Sequence, residues 1–549
     1  MTAPRVSIRS RLILAAILAV ALAGSVTGLD WGLPYQWHTD EKVTQARNVL
    51  RSPGWDPDYF INPHLHIYLV AAAFKVAYAL EPGYEVGQTL PDIFPMLDAG
   101  SPARRLQFLT MRLARGVSVL LALVTIVIVY RVGRRHWDED TGLVAAACLA
   151  VTMGFINLAH FATPETLLLL LVVAVLASLD RVMERGRLRD YAVAGALTGL
   201  ACSTKYTAFA LAAPFAAAHV VARGPRVSIA PRSLGNLAVA AAAALAAFAA
   251  TTPYAVIRYR DFGQAIVDAW LMGAPAGSLV GLRRSYGPYL ALLGDGLGWP
   301  LFVLSLAGVV SGVVAWVRGD RQSSSARGSL IHVVWIVSFY AFYGLSPHHA
   351  LRFIMPIAPS LVLLAAAASV AFVRRQRQPF AQRLALAGVT AVLIYSGAYT
   401  GRADWMFLED TRYAAGQWLI RTFGQSARID YFEIEAYLPY FDPAPEHLQY
   451  VPFIEHVTLH QSDFWHTARA YLRESSAPIV DSSFYYDRYL DNPRGFPERA
   501  EFYRHLLTGT DPAGVKPIAR FTLENPRWLN PRPERIAPEV VIFGKPGGK

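Results

Sequence analysis

The sequence is poor in cysteine and in charge, and each shortage narrows what the chain can be. It holds only two cysteines among 549 residues. Both Cys148 and Cys202 sit in apolar segments, so a disulfide framework and a cysteine-based metal site are excluded. Charged residues make up 17% of the chain and hydrophobic residues 54%, which is more apolar sequence than a soluble core of this length needs. The composition therefore predicts a polytopic membrane protein.

The excess of positive charge follows membrane topology. Lys and Arg number 51 against 40 Asp and Glu, for a net charge of +11, and in a soluble chain this would suggest a nucleic-acid partner. Here the arginines stand in short clusters between apolar runs, as in cytoplasmic loops of membrane proteins. We therefore expect no nucleic-acid partner. The clusters are Arg131/Arg134/Arg135, Arg181/Arg185/Arg187/Arg189, Arg223/Arg226/Arg232, Arg318/Arg321/Arg327 and Arg374/Arg375/Arg377/Arg383.

The apolar runs predict eleven crossings. The first, from Leu12 to about Leu29, follows three arginines and contains a signal-peptidase-like Ala21-Leu22-Ala23, although an uncleaved span fits better. The others cover about 106–130, 142–158, 164–180, 191–203, 205–222, 233–250, 298–317, 330–345, 350–372 and 384–400.

Charge parity decides two ambiguous segments. All five arginine clusters fall on the cytoplasmic side with the N-terminus only if residues 64–80 do not span, so we expect an interfacial helix there. Basic flanks likewise require 190–222 to cross and return, with a turn at Ser203-Thr204-Lys205.

Three regions are then expected outside. Residues 30–105 and 251–297 are long outer loops of a membrane module covering 1–401, and 402–549 form an exported domain. Its pattern predicts an α/β fold. The helices are expected over Arg412–Phe423, Phe464–Arg473 and Glu498–Leu507, and the extended segments over Ala427–Phe432, Pro478–Tyr485, Lys516–Thr522 and Glu539–Phe543. We expect a multi-pass protein of the cytoplasmic membrane, with this domain periplasmic or extracellular.

Two acids stand at the outer mouth of the first span. Thr39 could cap a helix with Asp40 and Glu41 in its first turn. Asp40 and Arg47 would then share a face, so that an acid and a cation point into one cavity. Its apolar positions, Val43, Ala46, Val49 and Leu50, would lie on the membrane surface. The alternative is that acids in a first turn only complement the helix dipole.

Two further outer turns carry ionisable groups. His160 and Glu165 lie in the tight turn before the fourth span, where Glu165 either has a chemical task or marks a helix start. Lys205 lies in the turn of the short hairpin beside Ser203 and Thr204, which suits a phosphate, although interfacial anchoring is the alternative.

The last outer turn crowds two histidines and an arginine. His348 and His349 precede Arg352. Adjacent histidines rarely bind one metal ion without further ligands, so contact of His349 and Arg352 with an anion is favoured over a metal site. Interfacial anchoring remains open.

Together these motifs resemble the GT-C glycosyltransferases. Within that fold the sequence is similar to the group of protein O-mannosyltransferases and aminoarabinose transferases, which use sugars carried on polyprenyl phosphate. The resemblance rests on the Asp40-Glu41 pair, the turn ending in Glu165, the Thr204-Lys205 turn, the His-x-x-Arg-Phe-x-x-Pro-x-x-Pro run from His349 to Pro359, and Asp410-Thr411-Arg412 with Trp418. In that group Asp more often stands at the place of Glu165.

The resemblance implies an activity and roles for the residues. An activated sugar on a lipid phosphate needs a base for the acceptor hydroxyl and cations for the departing phosphate. Asp40 would be the base, with Glu41 and Glu165 as further catalytic residues. The transfer would invert the anomeric carbon and need no cofactor, although a divalent cation remains possible. The phosphate ligands would be Lys205, Arg352, His349, Arg47 and Arg115, and the substrate contacts His160, Asn62 and His64, with His66 roofing the cavity.

The partners follow from this activity. They would be a polyprenyl-phosphate-linked sugar, a lipid, glycan or protein acceptor, and membrane lipids. A transporter or flippase for a lipid-linked anion could use the same cations, but it needs neither the acid pair nor a domain-sized exported C-terminus, and no inverted repeat is visible. An O-antigen-ligase-like or polymerase protein would differ mainly in its donor.

Overall fold

Long apolar helices dominate the chain. The computed structural model describes residues 7–81, 83–84, 100–272, 286–345, 349–432, 437–442, 445–451, 461–491 and 493–545. Within these residues, eight helical segments are long and apolar enough to cross a membrane, or nine with a bent pair. The helices of these segments are α1 Ile8–Val26, α4 Pro102–His136, α7 Glu165–Arg185, α10 Pro231–Thr251, α14 Trp299–Arg318, α15 Ser324–Tyr343, α16 Leu351–Ile354 with α17 Ala358–Arg375, and α18 Pro379–Met406 with α19 Thr411–Phe423, and the bent pair is α5 Glu139–Ala150 with α6 Met153–Ala159.

Shorter helices complete the membrane module. They are α2 Val43–Arg51, α3 Leu65–Leu80, α8 Leu188–Cys202, α9 Ala212–Arg223, α11 Tyr254–Ile257, α12 Tyr259–Met272 and α13 Tyr286–Leu297. Two short 3-10 helices cover Tyr206–Leu211 and Met355–Ile357. With 16 residues, α3 is shorter than the eight.

Eleven crossings were predicted, whereas eight or nine segments of the described residues are long and apolar enough to span. The two that differ are the limbs of the predicted hairpin at 190–222. Neither α8 nor α9 has the length of a full span. Yet Lys205, just after α8, contacts Glu165 at the start of α7, with Nζ 2.9 Å from Oε1. Arg223 at the end of α9 donates a 2.5 Å hydrogen bond to the carbonyl of Gly186, just after α7. The chain therefore runs back along α7 and returns, with its turn at Ser203–Lys205 beside Glu165.

The C-terminal region forms one mixed sheet. The described strands are β1 Arg428–Tyr431, β2 His447–Tyr450, β3 Ile479–Ser482, β4 Lys516–Phe521 and β5 Val540–Gly544. Their order is β2-β1-β3-β5-β4. The first three are parallel, and β5 runs antiparallel to β3 and β4. The helices are α19, α20 Gln461–Glu474, α21 Ser483–Leu490 and α22 Pro497–Thr508.

These elements match the predicted α/β pattern with two additions. Every predicted helix and extended segment has a counterpart, but β2 and α21 were not expected. The run predicted to be extended through Tyr485 instead turns into α21 after Ser482. In the buried end of β3, Asp481 accepts a 2.7 Å hydrogen bond from the hydroxyl of Tyr503.

The segment that follows α1 is part of the core of this sheet domain. Trp31 and Trp37 pack with Phe407, Ile429 and other buried residues of the C-terminal region. The buried Arg412 guanidinium lies 3.8 Å from the Trp37 ring centroid, and the indole of Trp31 donates a 3.0 Å hydrogen bond to Asp410. Edge-to-face ring contacts, a cation–π contact and a buried hydrogen bond thus fix the sheet domain against the segment that leads into α2.

Candidate functional site

Six charged side chains from five parts of the chain meet at one end of the helix bundle. We call them the charge cluster: Asp40, Lys42, Glu165, Lys205, Arg352 and Glu534. Asp40 and Lys42 lie just before α2, Glu165 begins α7, Lys205 follows α8, Arg352 lies in α16, and Glu534 belongs to the irregular segment between β4 and β5. Three acids and three cations therefore share one site.

Arg352 is held by two carboxylates. Its Nη2 lies 3.0 Å from Oδ2 of Asp40, and its Nη1 forms an ion pair with Glu534. The backbone N–H of Arg352 also donates a 3.1 Å hydrogen bond to Glu534. The C-terminal region thus contacts the cation that the sequence assigned to a phosphate.

A second ion pair lies beside the first. Lys205 Nζ is 2.9 Å from Glu165 Oε1, and both side chains are largely buried. The Phe353 ring centroid is 4.8 Å from Lys205 Nζ and 4.8 Å from Arg352 Cζ. One aromatic ring therefore contacts two cations that are 147 positions apart in the sequence. The cation–π contacts stabilise both.

Lys42 is the cation that the sequence analysis missed. It is buried, and its Nζ lies 3.5 Å from the Tyr59 hydroxyl and 5.2 Å from that ring centroid. Burial holds the pKa of Lys42 below its ordinary value, although the charges of Asp40 and Glu165 oppose the shift. In the described part of the chain no carboxylate lies within ion-pair distance of this ammonium. The position of Lys42 directly after the Asp40-Glu41 pair is the sequence feature that could have identified it.

Asp40 is the most accessible carboxylate here, with a side chain 36% exposed. Burial alone would raise its pKa, but the charges of Arg352, His38 and Lys42 hold the pKa below its usual range. Asp40 is therefore ionised at neutral pH and can accept a proton.

Glu41 faces away from the charge cluster. Both its oxygens contact Arg115, at 2.8 and 2.9 Å, and one also accepts a 3.0 Å hydrogen bond from the N–H of Ala162. Arg115 further donates to the carbonyls of Leu29 and Trp31. Both side chains are buried. The expected phosphate contact of Arg115 is thus not supported: the residue joins α4 to the acid-bearing turn.

The predicted helix start is wrong by several residues. The helix α2 begins at Val43, with Lys42 as its N-cap and no side-chain cap, so Thr39 does not cap it and Asp40 precedes it. Arg47 therefore does not share a helix face with Asp40, and its charge acts instead on Tyr78 of α3. The reason is that the buried contact of Glu41 with Arg115 holds the preceding residues in a turn.

The apolar face of α2 was also misplaced. Val43, Ala46 and Val49 are buried in a cluster with side chains of α3 and α4, not spread on a membrane surface. The first loop therefore folds onto the helix bundle.

Two residues that were predicted to contact the substrate, Asn62 and His64, are connected to Lys42 through Tyr59. The Tyr59 hydroxyl donates to Asn62 at 3.3 Å. The ring of His64 contacts the Tyr59 carbonyl through Nε2 at 3.0 Å. His66 is buried and lies within electrostatic reach of Glu165 and Lys42.

Two other predicted contacts have different partners. His160 is buried, bonds to the carbonyls of Ile156 and Thr27 at 2.9 Å each, and stacks on Phe407 with ring centroids 4.1 Å apart. These contacts tie His160 to α6, to the segment after α1 and to Phe407. His349 packs edge-on against Tyr289 at 5.4 Å. His348 lies outside the described residues.

Three buried polar atoms in or beside the charge cluster make no hydrogen bond to any described residue. Within the residues described, Glu165 Oε2, Thr163 Oγ1 and His66 Nδ1 are buried without a hydrogen-bond partner. Buried polar atoms are rarely left so, and a polar ligand would satisfy them. No group of three or more His, Cys, Asp or Glu in the described part of the chain is arranged to hold a metal ion.

Known proteins share this architecture. The model of the family "Dolichyl-phosphate-mannose-protein mannosyltransferase" matches residues 106–256. ArnT from Cupriavidus metallidurans bound to undecaprenyl phosphate is 16% identical, with a TM-score of 0.51 over 97% of each chain. Archaeal oligosaccharyltransferase AglB from Archaeoglobus fulgidus, in complex with an inhibitory peptide and a dolichol-phosphate, is 13% identical, with a TM-score of 0.52 over 96% of this chain and 75% of that one.

No curated protein sequence matches the chain significantly. The structural matches span nearly the whole chain, and the family match covers α4 and the helices that follow it to α11. The chain is therefore a multi-pass membrane protein with the GT-C glycosyltransferase fold, as its motifs predicted.

Proposed function

We propose that the protein transfers a sugar from a polyprenyl-phosphate carrier to a hydroxyl acceptor at the membrane surface that bears the charge cluster. The observation that carries this proposal is the convergence of three cations, Lys42, Lys205 and Arg352, beside a half-buried carboxylate, Asp40, in a GT-C fold. Cations suit the departing phosphate and a carboxylate suits the attacking hydroxyl.

The charges of the cluster suggest how the phosphate enters. Three acids balance three cations, so an added phosphate would leave the buried site with excess negative charge. Glu534 is the acid best able to leave, because it lies in an irregular segment between strands. We infer that the phosphate replaces Glu534 at Arg352 and is also contacted by Lys42 and Lys205, while Glu165 orients Lys205.

Phosphate binding would also activate the base. Arg352 lowers the pKa of Asp40, and a phosphate on Arg352 would weaken this effect. The bound donor thus makes Asp40 a stronger base, which favours binding of the donor before the acceptor. The acceptor hydroxyl would give its proton to Asp40 as its oxygen bonds to the anomeric carbon. The bond from that carbon to the phosphate oxygen breaks, its electron pair remains on the phosphate, and the sugar is inverted.

The remaining predicted residues support this site. Glu41, locked by Arg115, positions the turn that carries Asp40. Asn62 and His64 hold Tyr59 against Lys42. Arg47, His160 and His349 have partners elsewhere and act on the fold around the site. The mechanism gives a metal no step, so EDTA should leave transfer unchanged.

The sidedness and the partners remain part of the proposal. We place the charge cluster and the sheet domain on the outer face of the cytoplasmic membrane. The acceptor would be a lipid, glycan or protein hydroxyl beneath that domain.

Native mass spectrometry of lipid that copurifies with the protein tests the donor class. Retention of a polyprenyl phosphate by the parent and its loss from Lys205→Met/Arg352→Met would support the proposal. Equal retention by both proteins would remove the two cations from the donor site. Retention of a lipid without a phosphate would contradict the donor class.

A further inference from the structure

A second basic site lies at the other end of α7. Its cavity, of about 280 Å³, is lined by Ser178, Arg181, Arg185, Arg189, Asp190 and Val193. We call it the arginine groove. Glu165 begins α7 in the charge cluster and Arg185 ends this helix of 21 residues, whose length is about 30 Å at 1.5 Å per residue. Since that is the thickness of a bilayer core, the groove lies at the opposite membrane face.

Helix geometry builds the groove from two facing stripes. Ser178, Arg181 and Arg185 are spaced by three and four residues, so they share one face of α7. Arg189 and Val193 are four apart and share one face of α8. The turn between the helices uses Gly186 at φ 56°, a conformation that costs glycine little. The turn therefore folds the two stripes against one cavity.

The three arginines are available for a ligand. In the residues that the structure describes, none of them has a hydrogen-bond or ion-pair partner. The acids of α7 are engaged with other cations: Asp180 with Arg135 at 2.5 Å, and Glu184 with Arg135 at 2.7 Å. Asp190 accepts a 3.3 Å hydrogen bond from the N–H of Arg187. The groove thus holds more positive than negative charge.

The apolar border indicates what kind of ligand fits. Val193 in the groove is 47% exposed, and the neighbouring Leu188 is 53% exposed. In a membrane these side chains would contact acyl chains beside the basic cavity. Guanidinium groups bind phosphate oxygens in pairs, and basic pockets between membrane helices suit anionic head groups.

We propose that the arginine groove binds the head group of an anionic phospholipid in the leaflet opposite to the charge cluster. The phosphate would lie between Arg181, Arg185 and Arg189, with an acyl chain along Val193. This site is separate from the donor site and does not depend on the proposed transfer.

The test titrates dioleoylphosphatidylglycerol onto the full-length protein in neutral detergent and counts bound lipid by native mass spectrometry. Three proteins are compared: the parent, Arg181→Gln/Arg189→Gln, and the control Arg226→Gln/Arg232→Gln. The control removes two exposed arginines, Arg226 of the α9–α10 loop and Arg232 in the first turn of α10, so its net charge is the same. We expect the groove variant to bind the lipid at least about tenfold more weakly, because charge-assisted contacts are lost. The control should bind like the parent.

Two further arms identify the ligand and control for folding. Glycerol phosphate at the same concentration should not displace the lipid. Undecaprenyl phosphate should bind all three proteins equally, since its proposed site is at the other face. If the groove variant also loses undecaprenyl phosphate, its fold has failed, and Arg185→Gln takes its place with the same expected loss.

Three results would overturn the proposal. They are equal losses in the groove and control variants, parent-like lipid binding by the groove variants, and displacement of the lipid by glycerol phosphate. The first would mean general surface charge, and the last a soluble ligand.

Discussion

Removing the carboxylate of Glu534 should tighten binding of the lipid carrier. Glu534 pairs with Arg352 through the side chain and accepts a 3.1 Å hydrogen bond from its backbone N–H. In Glu534→Gln the amide keeps the shape, and its one carbonyl oxygen can still accept from the Arg352 backbone N–H, but the negative charge that competes with phosphate is gone. Arg352 still has Asp40 at 3.0 Å, so no cation is left unpaired.

The size of the gain follows from the ion pair that the donor no longer has to break. A charge-assisted hydrogen bond contributes about 1.5–3 kcal/mol. Both side chains are 14% exposed, so solvent screening favours the lower end of that range. About 1.4 kcal/mol corresponds to about tenfold in affinity. We therefore expect a dissociation constant about tenfold lower than that of the parent.

The assay is a tryptophan-fluorescence titration of the full-length protein in nanodiscs with undecaprenyl phosphate. Glu524→Gln, which removes an exposed acid from the same segment, is the matched control and should bind like the parent. Unchanged or weaker binding by Glu534→Gln would refute the reasoning, because Glu534 would then support the donor site and not occupy it.

Three further predictions concern carrier binding and the stability of the fold. Lys42→Met should weaken undecaprenyl phosphate binding about tenfold without lowering the unfolding temperature, because the lost ammonium is desolvated; exposed Lys75→Met is the control, and parent-like affinity would remove Lys42 from the site. Lys205→Met strands the buried Glu165 carboxylate and should cost about 3–5 kcal/mol of stability. Glu165→Gln/Lys205→Met should recover stability in thermal unfolding but not carrier affinity, and recovery of both would show a structural pair. Burial raises the pKa of Asp481 to about 7, so the folded chain holds a proton that the unfolded chain releases, and stability should fall as pH rises from about 4 to 7. Hydrogen exchange of β3 in the full chain should show this decline for the parent but not for Asp481→Asn; the same pH dependence in both would contradict it.

The sequence predicted the elements and most members of the charge cluster. Asp40, Glu165, Lys205 and Arg352 could be found because charge parity places their turns at one membrane face, and ionisable groups at such turns are costly without a function. Glu534 could not be found, since it lies in an irregular segment 182 positions from Arg352 and contacts it only after folding.

The direction of side chains was harder to predict than their membrane face. Arg115 and Glu41 are 74 positions apart, and only the packed structure shows that they pair with each other. This pairing also explains why the helix starts at Val43, because it holds the acidic turn against α4 and Ala162. Local capping preference at Thr39 was overridden by tertiary contacts.

Transfer by proteoliposomes tests the central claim most directly. The full-length protein is supplied with a panel of radiolabelled polyprenyl-phosphate sugars and a membrane extract as the source of acceptors, and release of the carrier phosphate is measured beside carrier binding. We predict release by the parent. Release by Asp40→Asn should be slower by about 10²-fold or more, which is the scale of losing a general base, while its affinity for the carrier is kept. Movement of the labelled lipid across the bilayer with its sugar–phosphate bond intact, or parent-like release by Asp40→Asn, would contradict the account.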